Sequence, residues 1–115
     1  MSIMKRLALA GFMSVIPLIN PQEVWAEGFN NKDFLKMPPI RQKFWLNGAM
    51  DTLAHVASFK DKTIGQCVVD WYFGEKHAQR NGLIFASMEK YPDHTPTVII
   101  VALTQRACGV YLKVD

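Results

Sequence analysis

The chain has 115 residues, a formal net charge of +3 and a hydrophobic content of 50%, which suits one domain around one core. No basic run is interleaved with aromatic residues, so no nucleic-acid partner is expected. No low-complexity segment, internal repeat or second hydrophobic span occurs.

The N-terminus reads as an export signal. Lys5 and Arg6 precede an apolar run of 13 residues, Leu7–Ile19, shorter than the ~20 a membrane span needs. Pro17, Asn20 and Pro21 break the run, and Val24-Trp25-Ala26 sets small or modest side chains before a cleavage point. Residues 1–26 are therefore expected to be a cleavable signal peptide, cut between Ala26 and Glu27. The competing reading is an uncleaved N-terminal anchor. No cysteine lies near the cut, so no lipid anchor is expected. The mature protein is then a single helical domain over 27–115, periplasmic and without a stable membrane anchor.

The mature chain is punctuated as a helical bundle. Asn31 is placed to cap a short turn of helix through Met37, with Asp33 in its first turn, and Pro38-Pro39 ends it. A long helix is expected from about Pro39 to about Phe59, because Leu46, Ala49, Met50, Leu53, Val56 and Ala57 recur at helical spacing. Phe44 and Trp45 widen that stripe. Gly48 costs helix propensity, and a close approach to another helix would explain it. Lys60-Asp61-Lys62 is a charged break, after which Thr63 caps a third helix, Ile64 to about Phe73. Its stripe is Ile64, Cys67, Val68, Trp71 and Tyr72, and Gly74 stops it. Gly74 to Asn81 then reads as a polar loop carrying Glu75, Lys76, His77, Gln79 and Arg80. Asn81 caps a fourth helix through about Tyr91, with Ile84, Met88 and Tyr91 on one face, and Pro92-Asp93-His94 is a turn.

The last segment reads two ways. Thr97–Val101 is β-branched throughout, and Val110, Leu112 and Val114 alternate, as in a strand. An α+β fold with a C-terminal β-hairpin is therefore the alternative. The preferred reading is a fifth helix, Pro96 to about Ala107, begun by Thr95-Pro96 and closed by Gly109, with Val101, Thr104 and Cys108 on one face. The expected fold is all-α: four to five helices closed by one disulfide. Two cysteines in an exported chain allow one intramolecular pairing, Cys67–Cys108. The chain-entropy estimate for a loop of about 40 residues is roughly 3–4 kcal/mol.

No catalytic constellation is present. There is no G-x-S-x-G, phosphate-binding glycine loop, H-E-x-x-H or C-x-x-C. A thiol nucleophile with a base from His55, His77 or His94 competes with the disulfide, but nothing pairs it with any of the three. His55 reads as a packed or surface histidine, Asp51 and Asp70 as capping or solvated, and Trp45, Trp71, Tyr72 and Phe73 as core. The expectation is a binding protein rather than an enzyme, with no catalytic residue, metal site or cofactor.

Several stretches together carry a family likeness. These are Asp33-Phe34-Leu35, Phe44-Trp45-Leu46-Asn47-Gly48-Ala49-Met50-Asp51, Cys67-Val68, Tyr91-Pro92-Asp93 with Pro96, and Ala102-Leu103 with Cys108. The chain resembles the Rap/Tai family of bacterial immunity proteins over most of its mature length. The resemblance implies a periplasmic, helical, disulfide-closed protein that neutralises a peptidoglycan amidase delivered by type VI secretion. It also implies a homodimer and a loop inserted into the amidase cleft. The chain departs from the family in its mild basicity and in its β-branched last helix. Glu75, Lys76, His77, Gln79 and Arg80 are the expected partner-binding set, because their polar loop follows a disulfide-held helix. Lys60–Lys62 and Asp93-His94 are the competing loops. The functional alternatives are a periplasmic acid-stress chaperone of the Hde type and, third, an unrelated lysozyme or protease inhibitor.

Overall fold

A computed structural model describes residues 28–113. The export signal, its cleavage point and Val114 lie outside the described residues. From Asn31 on, five helices follow one another among the described residues: α1 Asn31–Leu35, α2 Pro39–Lys60, α3 Lys62–Phe73, α4 His77–Lys90 and α5 Pro96–Cys108. No strand occurs among the described residues, so the terminal hairpin is not formed. No described helix is long and apolar enough to cross a membrane.

The short α1 survives because it is capped and tethered. Asn30, not Asn31, caps it: Asp33 N donates to Asn30 Oδ1 at 3.0 Å, and Asn30 N donates back to Asp33 Oδ2 at 3.2 Å. Asn31 is instead fully buried and ties α1 to the turn after α4. Its backbone N donates to His94 O at 2.7 Å and its Nδ2 to Tyr91 O at 2.8 Å. The stretches Asp33-Phe34-Leu35 and Tyr91-Pro92-Asp93 are thus neighbours in space.

Helices α2 and α3 form the most extensively packed pair. One extended residue, Asp61, ends the first and caps the second, accepting from Thr63 N at 2.8 Å and from Thr63 Oγ1 at 2.6 Å. The cap expected at Thr63 therefore sits two residues earlier. The close approach expected at Gly48 is also elsewhere. Gly48 is exposed, and a Cβ on it would meet no atom within 4 Å. The tight crossing is at buried Gly65, where a Cβ would stand 2.8 Å from Ala54 O and 2.9 Å from Ser58 Cβ.

The β-branched segment is helical because it is buried. Thr95 Oγ1 accepts from Val98 N, and Ile99, Ile100, Val101 and Thr104 enter the core. Burying such side chains is worth roughly 1.5–3 kcal/mol each, which outweighs propensity differences of a few tenths of a kcal/mol. Gly109, at φ 114°, ends α5 with its N–H on Gln105 O. The chain then turns back. Tyr111 is buried with its hydroxyl 2.6 Å from Thr104 Oγ1, while Val110 and Leu112 face solvent. Gln105 Oε1 accepts from both Tyr111 N and Leu112 N.

The core is Phe34, Leu46, Met50, Val68, Tyr72, Ile84, Met88 and Ile100 with their neighbours. Phe44, expected to widen the core stripe, is 67% exposed, and Tyr91 lies outside the core face of α4. The disulfide joins Cys67 on α3 to Cys108, the last residue of α5, as expected.

Candidate binding site

The site is the reversal between α3 and α4, and it is built to satisfy the open end of a helix. The last carbonyls of α3 lack intrahelical partners, and side chains of α4 supply them. His77 Nδ1 donates to Tyr72 O at 2.7 Å, and Arg80 Nε donates to Trp71 O at 3.1 Å. A carbonyl only accepts, so the His77 proton in this contact is on Nδ1. Nε2 then accepts from Asn81 Nδ2 at 3.3 Å, and Asn81 Oδ1 accepts from the Tyr72 hydroxyl at 2.8 Å. Burial pushes the Tyr72 phenol above its ordinary range, with the Asn81 bond working against that rise. The His77 ring also packs edge-on against Tyr72, at 4.6 Å between centroids, and stacks over Phe73.

Gly74 makes the reversal sterically feasible. Its φ is −81°, within reach of any residue, but a Cβ there would stand 2.3 Å from Asp70 O. Close approach is therefore the reason for glycine. His77 N donates to Gly74 O and Arg80 N to Lys76 O, so α4 begins at His77 with Lys76 as its cap, five residues before the cap expected at Asn81. The polar loop shrinks to Gly74-Glu75-Lys76.

The five expected partner-binding residues divide accordingly. Glu75, Lys76 and Gln79 are exposed, the first two on the turn and the third on the first turn of α4. His77 and Arg80 are half-buried and committed to α3. Removing both leaves two α3 carbonyls unpaired, so substitution there is expected to move stability as well as any binding. The groove beside the turn is lined by Asp70, Gly74, Glu75, Lys76 and Arg80. Phe73 stands at 43% exposure rather than in the core, and half-buried Trp71 carries the Arg80 guanidinium on its ring at 5.0 Å. Of these three, Asp70 is solvated as expected and Trp71 packs against the edge of the core, whereas Phe73, expected in the core, is exposed. A nine-residue separation across a turn leaves no periodic trace. The nearest signal was an aromatic directly before a helix-ending glycine.

The competing features do not assemble into a second site of this kind. The Lys60–Lys62 break is a one-residue helix junction. His94 is exposed beside Tyr91, at 5.4 Å between ring centroids. His55 is exposed on α2, its Nδ1 2.8 Å from Asp51 O and 3.9 Å from Asp51 Oδ1. Both cysteines are in the disulfide, so neither is a free thiol. Among the described residues no three metal-ligating side chains gather. No protein-family model, no curated protein and no solved structure matches the chain.

Proposed function

We propose that the chain is an exported binding protein of the bacterial periplasm that inhibits a type VI-delivered peptidoglycan amidase by lodging the Gly74–Lys76 turn in its cleft. The observation that carries this is the bracing of an exposed turn. Glu75 and Lys76 face solvent, while His77 and Arg80 pin the ends of the turn to α3. A turn fixed before binding loses little conformational freedom on docking. The resemblance to the Rap/Tai family is the reason for choosing an amidase as partner, and a homodimer belongs to the same proposal.

The test uses the residues that do nothing for the fold. The triple variant Glu75→Ala, Lys76→Ala, Gln79→Ala is expected to weaken inhibition of the cognate amidase at least tenfold, about 1.4 kcal/mol, with an unchanged melting temperature. Wild-type protection by the triple variant would reduce the turn to a connector. Export is checked separately. The periplasmic protein is expected to begin at Glu27 and to show no alkylatable thiol, and gel filtration with light scattering reads its oligomeric state.

A further inference from the structure

The Arg80 guanidinium is held on two sides by its own protein, through Nε on Trp71 O and through the face of the Trp71 ring. Asp70 and Glu75 line the same groove, yet neither pairs with it. Among the described residues no lysine or arginine lies within 4.0 Å of a carboxylate; the one such contact is that of the His55 ring with Asp51. Asp70 is drawn away by Gln66, whose Nε2 donates to Asp70 Oδ1 at 2.9 Å. Among the described residues Arg80 donates only through Nε, so both Nη groups are left at the groove. A planar guanidinium fixed in this way presents a ready fork to a carboxylate, and most of the side-chain entropy is already lost.

We propose that Arg80 is an anchor that takes a carboxylate of the docked partner end-on through its two Nη groups. This rests on the Gly74–Lys76 turn being the partner-facing site. The groove also restricts which carboxylate fits. Asp70 and Glu75 balance Lys76 and Arg80 along its walls, so the groove is not broadly cationic, and the favoured group is a single carboxylate set directly on the Arg80 fork rather than a cluster of acids. Lysine cannot replace Arg80 here, because an ammonium offers neither the fork nor the Nε bond that sets its plane.

The test has two arms on the mature protein. In the first, 15N-labelled protein is titrated with sodium acetate against sodium chloride at constant ionic strength, following the arginine Nε–H signals. The Arg80 signal is expected to shift saturably, half-complete at roughly tens of millimolar, the scale of one charge-assisted contact. Arg41 and Arg106 are expected only to drift. Three arginine signals moving alike would overturn the anchor. In the second arm, Arg80→Lys is expected to weaken amidase inhibition at least tenfold despite keeping the charge. A folded Arg80→Lys protein that inhibits as well as wild type would overturn it too. A wild-type protein that shows the saturable shift but inhibits no amidase refutes the amidase as partner while supporting the carboxylate site. Inhibition together with a featureless titration does the reverse.

Discussion

At Gly48 an added Cβ meets nothing within 4 Å, so alanine there gains helix propensity at no packing cost. Gly48→Ala is expected to stabilise the protein by up to ~1 kcal/mol, raising the melting temperature by about 4–8 °C for a domain of this size. Gly65→Ala is expected to do the opposite. Ser58 Oγ can rotate away, but Ala54 O and Ser58 Cβ must be pushed back, and overpacking of that kind costs roughly 1–3 kcal/mol. Gly74→Ala faces a backbone oxygen at 2.3 Å and is expected to be the most destabilising of the three. Thermal melts of the set check the order. The buried phenols add a pH dependence. Burial raises the pKa of Tyr72 and of Tyr111, against the opposing hydrogen bonds to Asn81 and Thr104. Their folded forms hold the proton more tightly than the unfolded chain, whose phenols titrate near 10.0. The stability they contribute is present below that pH and lost as pH rises through the folded values. Tyrosinate absorbance and far-UV circular dichroism are expected to change together above about pH 10.

Between elements, two long-range ties decide whether α5 stays docked. One is the disulfide from its last residue to α3, with 41 residues of sequence separation. The other is the returning tail, where Tyr111 reaches Thr104 and Gln105 takes two backbone N–H groups. Cys67→Ser is expected to lower stability by roughly 2–5 kcal/mol, measured by urea unfolding. Protease cleavage is expected to appear first beyond Gly109, because losing the staple leaves the tail held only by the buried Tyr111 ring and a few hydrogen bonds. The α3–α4 reversal is a third tie, made of side chains on helix-end carbonyls. His77→Ala with Arg80→Ala is expected to lower the melting temperature along with any loss of binding. The exposed triple variant is therefore the cleaner probe of function.

For the whole molecule, the placement of acids bears on the chaperone alternative. An acid-triggered chaperone needs carboxylates whose protonation unlocks the structure. The described carboxylates lie at the surface or, for Asp33, in a half-buried helix cap. Asp61 is the one whose pKa is clearly lowered, first by the Thr63 hydroxyl and then by backbone N–H groups of Thr63 and Ile64. Its contribution to stability is complete above its unfolded value of 3.8 and is lost as pH falls through the lower folded value. The tertiary circular dichroism signal is accordingly expected to persist at pH 5 and to lose nothing through Asp61 until below about pH 4. Loss of tertiary signal near pH 5, together with suppression of client aggregation, would favour the chaperone.

Local signals in the sequence determined the first four helices, and the presence of two cysteines left a single intramolecular pairing; the last segment stayed open between helix and hairpin. Apolar residues at helical spacing, Pro39 and Pro96 at helix starts and Gly109 at a helix end act within a few residues, so a linear reading reaches them. Tertiary structure decided everything that depends on what lies across a gap. It made Thr97–Val101 a helix by burying it, set the close crossing at Gly65 rather than Gly48, and turned Asn31 inward to hold Tyr91 O. It also extended α4 back to His77. That polar first turn carries no apolar stripe, and its inward contacts are carbonyls of the preceding helix, which leave no mark in the sequence of α4 itself. The same physics divides the candidate site. Glu75, Lys76 and Gln79 were legible as an exposed polar set, whereas the Arg80–Trp71 contact exists only because Gly74 lets the chain fold back on Asp70.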